Sequence, residues 1–349
     1  MLCKKIKSFL LILIFLSVAF GTSFTADKNA VNEDVLINNL QVAKSKNEKE
    51  KSLKELFYYY VNMKRWNDII NISEDLLKYK LTKKEKYNVY YNLAIAYMNN
   101  RRFESAIDVA REAEYLYPKK IDIKMLMGRI YRDNRLYELA IMKFKNVLDL
   151  DRGHVTALIN LGDIYRILKN YKAALEYYTK AIKLRKNLAE EVYVNTAVSY
   201  KEFGKLDDAA DVLKNIKGKN KSAALLLAEI YKIKQDFLKA EKILLPYVYG
   251  KEVDIEVYCK LAELYLISKN CTEAKNLLTF YKSKIKNKNV EVVDFLLAEA
   301  YYGLNERKKA MKIMDDIFKY SKSDYIKDIM EKTIKFVKLK KSQGDSSAF

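Results

Sequence analysis

The chain has one histidine, His154, in 349 residues, and that scarcity removes most metal and acid–base chemistry at the outset. Familiar metal clusters need histidines and cysteines at set spacings, and His154, Cys259 and Cys271 share none. Glycine is also sparse: the nine glycines stand singly, so no glycine-rich loop is present to cradle a phosphate. Carboxylates are abundant, but an active site needs a nucleophile, a base and a group to orient them, and no such trio is legible. The sequence therefore predicts no catalytic residue, no metal site and no cofactor, and a non-enzymatic protein. Strand-like alternation of apolar and polar residues is missing as well. Of the three cysteines, Cys3 precedes the first apolar run, where it is wrongly placed for lipid attachment. Cys259 falls early in one expected helix and Cys271 near the following turn. A rise of about 1.5 Å per residue sets them too far apart for a disulfide, so both read as small apolar core residues.

What the chain does contain is a code, spelled seven times. A Gly or Ala is followed three residues later by Tyr and nine residues after that by Ala. The copies are Ala94-Tyr97-Ala106, Gly128-Tyr131-Ala140, Gly162-Tyr165-Ala174, Ala197-Tyr200-Ala209, Ala228-Tyr231-Ala240, Ala262-Tyr265-Ala274 and Ala298-Tyr301-Ala310. A period near thirty-four residues points to one helix pair per unit. The small residues let two backbones approach, and the tyrosine fills the wedge beside that contact. Other apolar residues recur at helical spacing, as in Leu158, Leu161, Gly162 and Tyr165, then Ala174, Tyr178 and Ala181. The expected fold is all-α, a right-handed α-α superhelix built as a solenoid of antiparallel helix pairs.

These residues resemble the tetratricopeptide repeat over most of the chain. The segment 87–120 matches best, with Tyr90, Leu93, Ala94, Tyr97, Ala106, Ala113 and the closing Pro118 at that family's usual places. On this reading the solenoid spans 50–323, with repeats starting near 50, 87, 121, 155, 190, 221, 255 and 291. The first copy is degraded: Phe57, Tyr60 and Ile69 occupy its code places, which predicts looser helix spacing there. The step from 190 to 221 is short and ends in Lys217-Gly218-Lys219-Asn220, while Pro246 falls late in the next second helix, where it should kink or end it. An irregularity is expected between about residues 215 and 250, as tolerated drift or as a hinge. His154 lies between two repeats and reads as a solvated linker residue.

The two ends differ from the middle. Lys4, Lys5 and Lys7 precede an apolar run from Phe9 to Phe20, with small residues after it. Residues 1–26 read as a secretory signal peptide, cleaved after Gly21, Ser23 or Ala26, or as an uncleaved N-terminal anchor. Either reading exports the repeats, to a periplasmic, envelope-associated or secreted location. Residues 27–49 form a polar linker in which 33–44 could make a short helix docked on the first repeat. Residues 324–341 read as a basic amphipathic helix that caps the apolar end of the solenoid or lies on an anionic membrane, and 342–349 as an unstructured tail. The net charge is +20, and removing residues 1–26 takes three lysines and no acid, leaving +17. Such a balance favours an anionic partner, membrane or cell-wall polymer, although the lysines are dispersed over every repeat.

The resemblance also places a ligand. Tetratricopeptide repeats hold extended peptides or helices on the concave face lined by first helices, through the second, fifth, ninth and twelfth places of each unit. The ninth place is acidic in Asp163, Glu229, Glu263 and Glu299; the twelfth is basic in Arg132, Arg166, Lys201 and Lys232, with Arg129 beside the first. In register these would make two tracks of opposite sign, or charges that neutralise one another. The fifth place is apolar or aromatic throughout: Tyr91, Met125, Ile159, Val194, Leu225, Cys259 and Phe295. This implies a protein or peptide partner, of amphipathic or mixed-charge character. The absence of Lys at the fifth place disfavours a C-terminal carboxylate as ligand. Nucleic acid is disfavoured because the tyrosines are accounted for by packing, and self-association is left open.

Overall fold

The computed structural model describes residues 33–185, 187–216, 220–248, 253–286 and 290–321. The segment 1–26 expected to be a signal, the helix expected over 324–341, the expected tail and the turn expected at 217–219 lie outside them. The described residues form seventeen α-helices and no strand. They divide into two compact units, the first ending at Leu150 and the second beginning at Asp151. The first holds α1 (Glu33–Val42), α2 (Lys46–Asn62), α3 (Trp66–Leu76), α4 (Lys83–Asn99), α5 (Phe103–Leu116), α6 (Ile121–Asp133) and α7 (Tyr137–Leu150). The second holds α8 (Val155–Ile167), α9 (Tyr171–Leu184), α10 (Glu190–Glu202), α11 (Leu206–Leu213), α12 (Lys221–Ile233), α13 (Phe237–Val248), α14 (Ile255–Ile267), α15 (Cys271–Lys284), α16 (Glu291–Gly303) and α17 (Arg307–Tyr320). From α2 onward even-numbered helices open each repeat and odd-numbered ones close it, an all-α helix-pair architecture.

Every repeat turns the same corner. One residue between its two helices takes the left-handed conformation: Lys64, Arg101, Arg135, Lys169, Gln235, Lys269 and Asn305 at φ 54–63°, and Gly204 at φ 83°. The next residue's N–H then reaches back to the carbonyl of the tyrosine five residues earlier, as in Arg102 to Tyr97 at 2.9 Å and Asn270 to Tyr265 at 2.7 Å. A side chain in this conformation is strained by about 1–2 kcal/mol, which only glycine escapes. Gly204→Ala should therefore lower stability by about 1 kcal/mol, and Lys169→Gly should raise it, both read as shifts in a chemical denaturation midpoint.

The code residues are where packing demands them. All seven alanines at the third code place are buried, six of them with no exposed surface. The two glycines have a specific cause. A Cβ on Gly128 would sit 2.6 Å from the Phe144 ring, and one on Gly162 would sit 2.6 Å from the Tyr178 ring. Where the first code place is Ala instead, the residue sixteen positions on is Ala110, Leu213, Leu244, Leu278 or Met314. Glycine thus accompanies an aromatic, and alanine an aliphatic, at one shared contact. The tyrosines are less uniform than expected: Tyr97, Tyr131 and Tyr265 are buried, but Tyr165, Tyr200, Tyr231 and Tyr301 are only half-buried. Tyr165 compensates by stacking on Tyr177, with ring centres 5.5 Å apart. In the degraded first repeat Phe57 and Ile69 are fully buried.

Two helices start earlier than the code suggests. Ser45 with Glu48, and Thr82 with Glu85, make capping boxes that add a turn ahead of residues 50 and 87. Glu85 also accepts from Lys54 of the preceding repeat at 2.6 Å. Lys54, then the Thr82 hydroxyl and backbone, hold the Glu85 carboxyl down to about 2. Because the folded value is depressed, its contribution is complete above the ordinary carboxylate range and is lost as pH falls from about 4.5 to about 2. Glu85→Gln should flatten the acid side of a pH–stability profile across that window, measured by denaturant midpoints at each pH. Before the first repeat, α1 buries Leu36, and its Glu33 accepts from Tyr60 Oη and Arg65 Nη1.

The stretch expected to be irregular lies partly outside the described residues, and a short helix precedes it. Helix α11 has eight residues, whereas the other second helices have eleven to fourteen. It packs in a core made of Ala197, Ala209, Ala210, Leu213, Ala223, Leu226 and Ile230. Pro246 sits inside α13, which continues to Val248 because the missing donor falls in its last turn. The free carbonyl of Val248 is met by the Tyr258 hydroxyl at 3.0 Å. His154 is not a bare linker: its Nδ1 caps α8, accepting from the Ala157 N–H at 3.2 Å.

Candidate binding groove

Within each unit the first helices of successive repeats touch one another, α4 with α6, then α8, α10, α12, α14 and α16 in series. Their shared face carries the fifth-place residues. Tyr91 and Met125 in the first unit, and Ile159, Val194 and Leu225 in the second, are half-buried; Cys259 is buried and Phe295 exposed. Within the second unit Ile159, Val194, Leu225 and Cys259 make an apolar floor partly or wholly withdrawn from water.

In the second unit the charged places do not run as separate tracks. Each twelfth-place lysine crosses to the ninth-place acid of the next repeat. Lys201 Nζ lies 2.8 Å from Glu229 Oε1, and Lys232 Nζ 3.6 Å from Glu263 Oε2. Lys260 also reaches Glu263 at 3.3 Å. Burial works against the Lys201 ammonium, but Glu229 and Glu202 outweigh it and hold its pKa above the usual lysine value. Asp163 is engaged differently, accepting from Tyr178 Oη at 2.5 Å and from Asn195 Nδ2 at 3.1 Å. Burial first, then the Asp163 charge, pushes the Tyr178 hydroxyl far above its ordinary range, with Arg166 opposing. The Arg166 Nε is buried and meets no hydrogen-bond partner. Glu299 forms no ion pair among the described residues; partial withdrawal from water, then Glu263, holds its carboxyl above the usual range.

The first unit has a different character. Tyr87 and Tyr91 stack with ring centres 5.8 Å apart, and Lys120 sits 3.8 Å from the Tyr87 ring centre. Arg129 and Arg132 are both half-buried, with Arg132 paired to Asp133 at 2.9 Å. Elsewhere in this unit Lys124 and Lys143 are both tied to Glu114, at 3.0 and 2.6 Å, so part of the positive charge is already spent. Linear reading missed Asn195, Tyr178, Lys260 and Glu114. Asn195 stands at the sixth place, one residue beyond the floor, and that register was the available signal. Cys259 and Cys271 are free thiols on neighbouring helices. Among the described residues no group of His, Cys, Asp and Glu could hold a metal ion, and no helix is long and apolar enough to cross a membrane.

Comparison with known proteins agrees with this geometry. The family profile for the tetratricopeptide repeat matches residues 155–188, and a second profile of the same description matches 87–120. Response regulator aspartate phosphatase A of Bacillus subtilis is 23% identical over 219 residues, covering 60% of this chain and 54% of that one. A TPR repeat-containing protein of Methanocaldococcus jannaschii is 28% identical over 133 residues, covering 38% of this chain and 23% of that one. The chain thus spans about half or less of these curated relatives. A tetratricopeptide repeat protein from Parabacteroides merdae shares the fold, with a TM-score of 0.51 and 18% identity over 72% of this chain and 98% of that one. Stacked helix pairs with a common corner define an α-solenoid repeat protein, the class built to offer surface to other proteins. This chain is a tetratricopeptide-repeat protein.

Proposed function

We propose that the chain is a non-enzymatic interaction scaffold of the cell envelope or extracellular space that holds peptide or helical segments of a protein partner along the first-helix face. The observation that carries this is the half-buried apolar floor, repeated in register along that face within each unit. Each repeat adds a modest contact, so affinity accumulates along the ligand. The one histidine has a ring nitrogen engaged in capping a helix, which supports binding rather than proton-transfer chemistry. The envelope location rests on the basic and apolar N-terminal sequence.

A second reading, attachment to an anionic membrane or wall polymer, is favoured by the charge of +20. Salt separates the two. Immobilised full chain should retain a protein from native envelope extract at about 1 M salt, where screening acts within about 3 Å. Steep release with rising salt, of lipid or polymer instead of protein, would mean the surface reading is correct.

A further inference from the structure

The cross-repeat ladder in the second unit follows one rule: the twelfth place of a repeat pairs with the ninth place of the next. The rule is obeyed at Lys201–Glu229 and Lys232–Glu263. It is broken once at each end. Arg166 occupies a twelfth place, but the following ninth place is Val198. Glu299 occupies a ninth place, but the preceding twelfth place is Leu266. The sequence has removed one partner from each pair, leaving a cation on α8 and an acid on α16. Neither has an ion-pair partner among the described residues; Arg166 adjoins the Tyr178 hydroxyl, and its Nε is buried without an acceptor. Between these ends the charges cancel, and the floor is formed by Ile159, Val194, Leu225 and Cys259.

We propose that this groove reads a ligand of fixed charge polarity: a peptide segment bearing an acidic side chain opposite Arg166 and a basic one opposite Glu299, with apolar residues between. The proposal rests on the scaffold reading above and names the partner's chemistry. Four helix steps of roughly 10 Å separate the two ends, a span of about 12 extended residues. The paired lysines and acids in the middle penalise a ligand charged at its centre, because each would have to leave a partner. Orientation is thereby set by the ends and affinity by the floor.

The test is selection of phage-displayed random 16-residue peptides on immobilised full chain. Wild type should enrich peptides with one acidic and one basic residue about 12 positions apart. Val198→Glu fills the first vacancy and Leu266→Lys the second; Arg166→Gln and Glu299→Gln remove the free charges without adding bulk. Val198→Glu and Arg166→Gln should each cut enrichment of the acidic position at least tenfold and spare the basic one. Leu266→Lys and Glu299→Gln should do the reverse, with circular dichroism unchanged in all four. Enriched peptides that keep both preferences on every folded variant would overturn the polarity while leaving groove binding intact. Failure of wild type to enrich any peptide would overturn the groove reading and this inference with it.

Discussion

Gly162→Ala is expected to cost about 1–3 kcal/mol, a large effect for one added methyl group. The new Cβ would lie 2.6 Å from the Tyr178 ring, closer than carbon atoms tolerate. The ring cannot step aside, because Tyr178 is fully buried and its hydroxyl is fixed on Asp163. Tyr178→Leu alone should also destabilise, by about 3 kcal/mol, since it opens a void beside the glycine and leaves Asp163 short of a donor. Made together, the two changes copy the Ala–Leu arrangement that the repeats at Ala228–Leu244 and Ala262–Leu278 already use. The double variant should therefore lose about 1–3 kcal/mol less than the sum of the singles, measured as denaturant midpoints followed by far-ultraviolet circular dichroism. Simple additivity would show that the ring does not set the helix spacing.

Asp294→Ala is expected to cost about 3–5 kcal/mol, but in one place only. Asp294 is 3% exposed at the start of α16. It accepts from Lys282 of α15, from the Tyr320 hydroxyl at the end of α17 and from the Val290 N–H. Its removal takes one buried acceptor away from Lys282, the Tyr320 hydroxyl and the Val290 N–H at once. Because each repeat of a solenoid touches only its neighbours, the damage should stay in α15–α17. Amide hydrogen exchange should accelerate there and remain unchanged in α8 and α9. Equal acceleration throughout the second unit would contradict this quasi-linear picture.

Much of the architecture was legible because a solenoid repeats its instructions. A Gly or Ala three residues before a Tyr is weak once and strong seven times, and the helix pairs lie where that spacing put them. Less legible was why some copies carry glycine. The answer lies sixteen residues on, in Phe144 and Tyr178, outside the code. Ser45 with Glu48 and Thr82 with Glu85 were readable as capping boxes, yet the code register drew attention to residues 50 and 87 instead. The charged places were legible as residues but not as partners. Lys201 and Glu229 are twenty-eight positions apart, and only the stacking of α10 on α12 brings them within 2.8 Å. Asp163 was read as one of a row of acids, whereas Tyr178 and Asn195 make it a fixed acceptor within the groove wall. The half-exposure of Tyr165 and Tyr231 followed from the depth of each wedge, which no linear pattern encodes.

The most direct test of the binding account is site-specific photo-crosslinking in the native cell. A benzophenone amino acid placed at Val194 or Leu225, on the floor of the second unit, should form one discrete adduct with a protein partner. The same group at Lys180, an exposed position of the second helix α9, should form none. Adducts at Lys180 with silence at Val194 and Leu225 would contradict the assignment of the first-helix face as the binding surface.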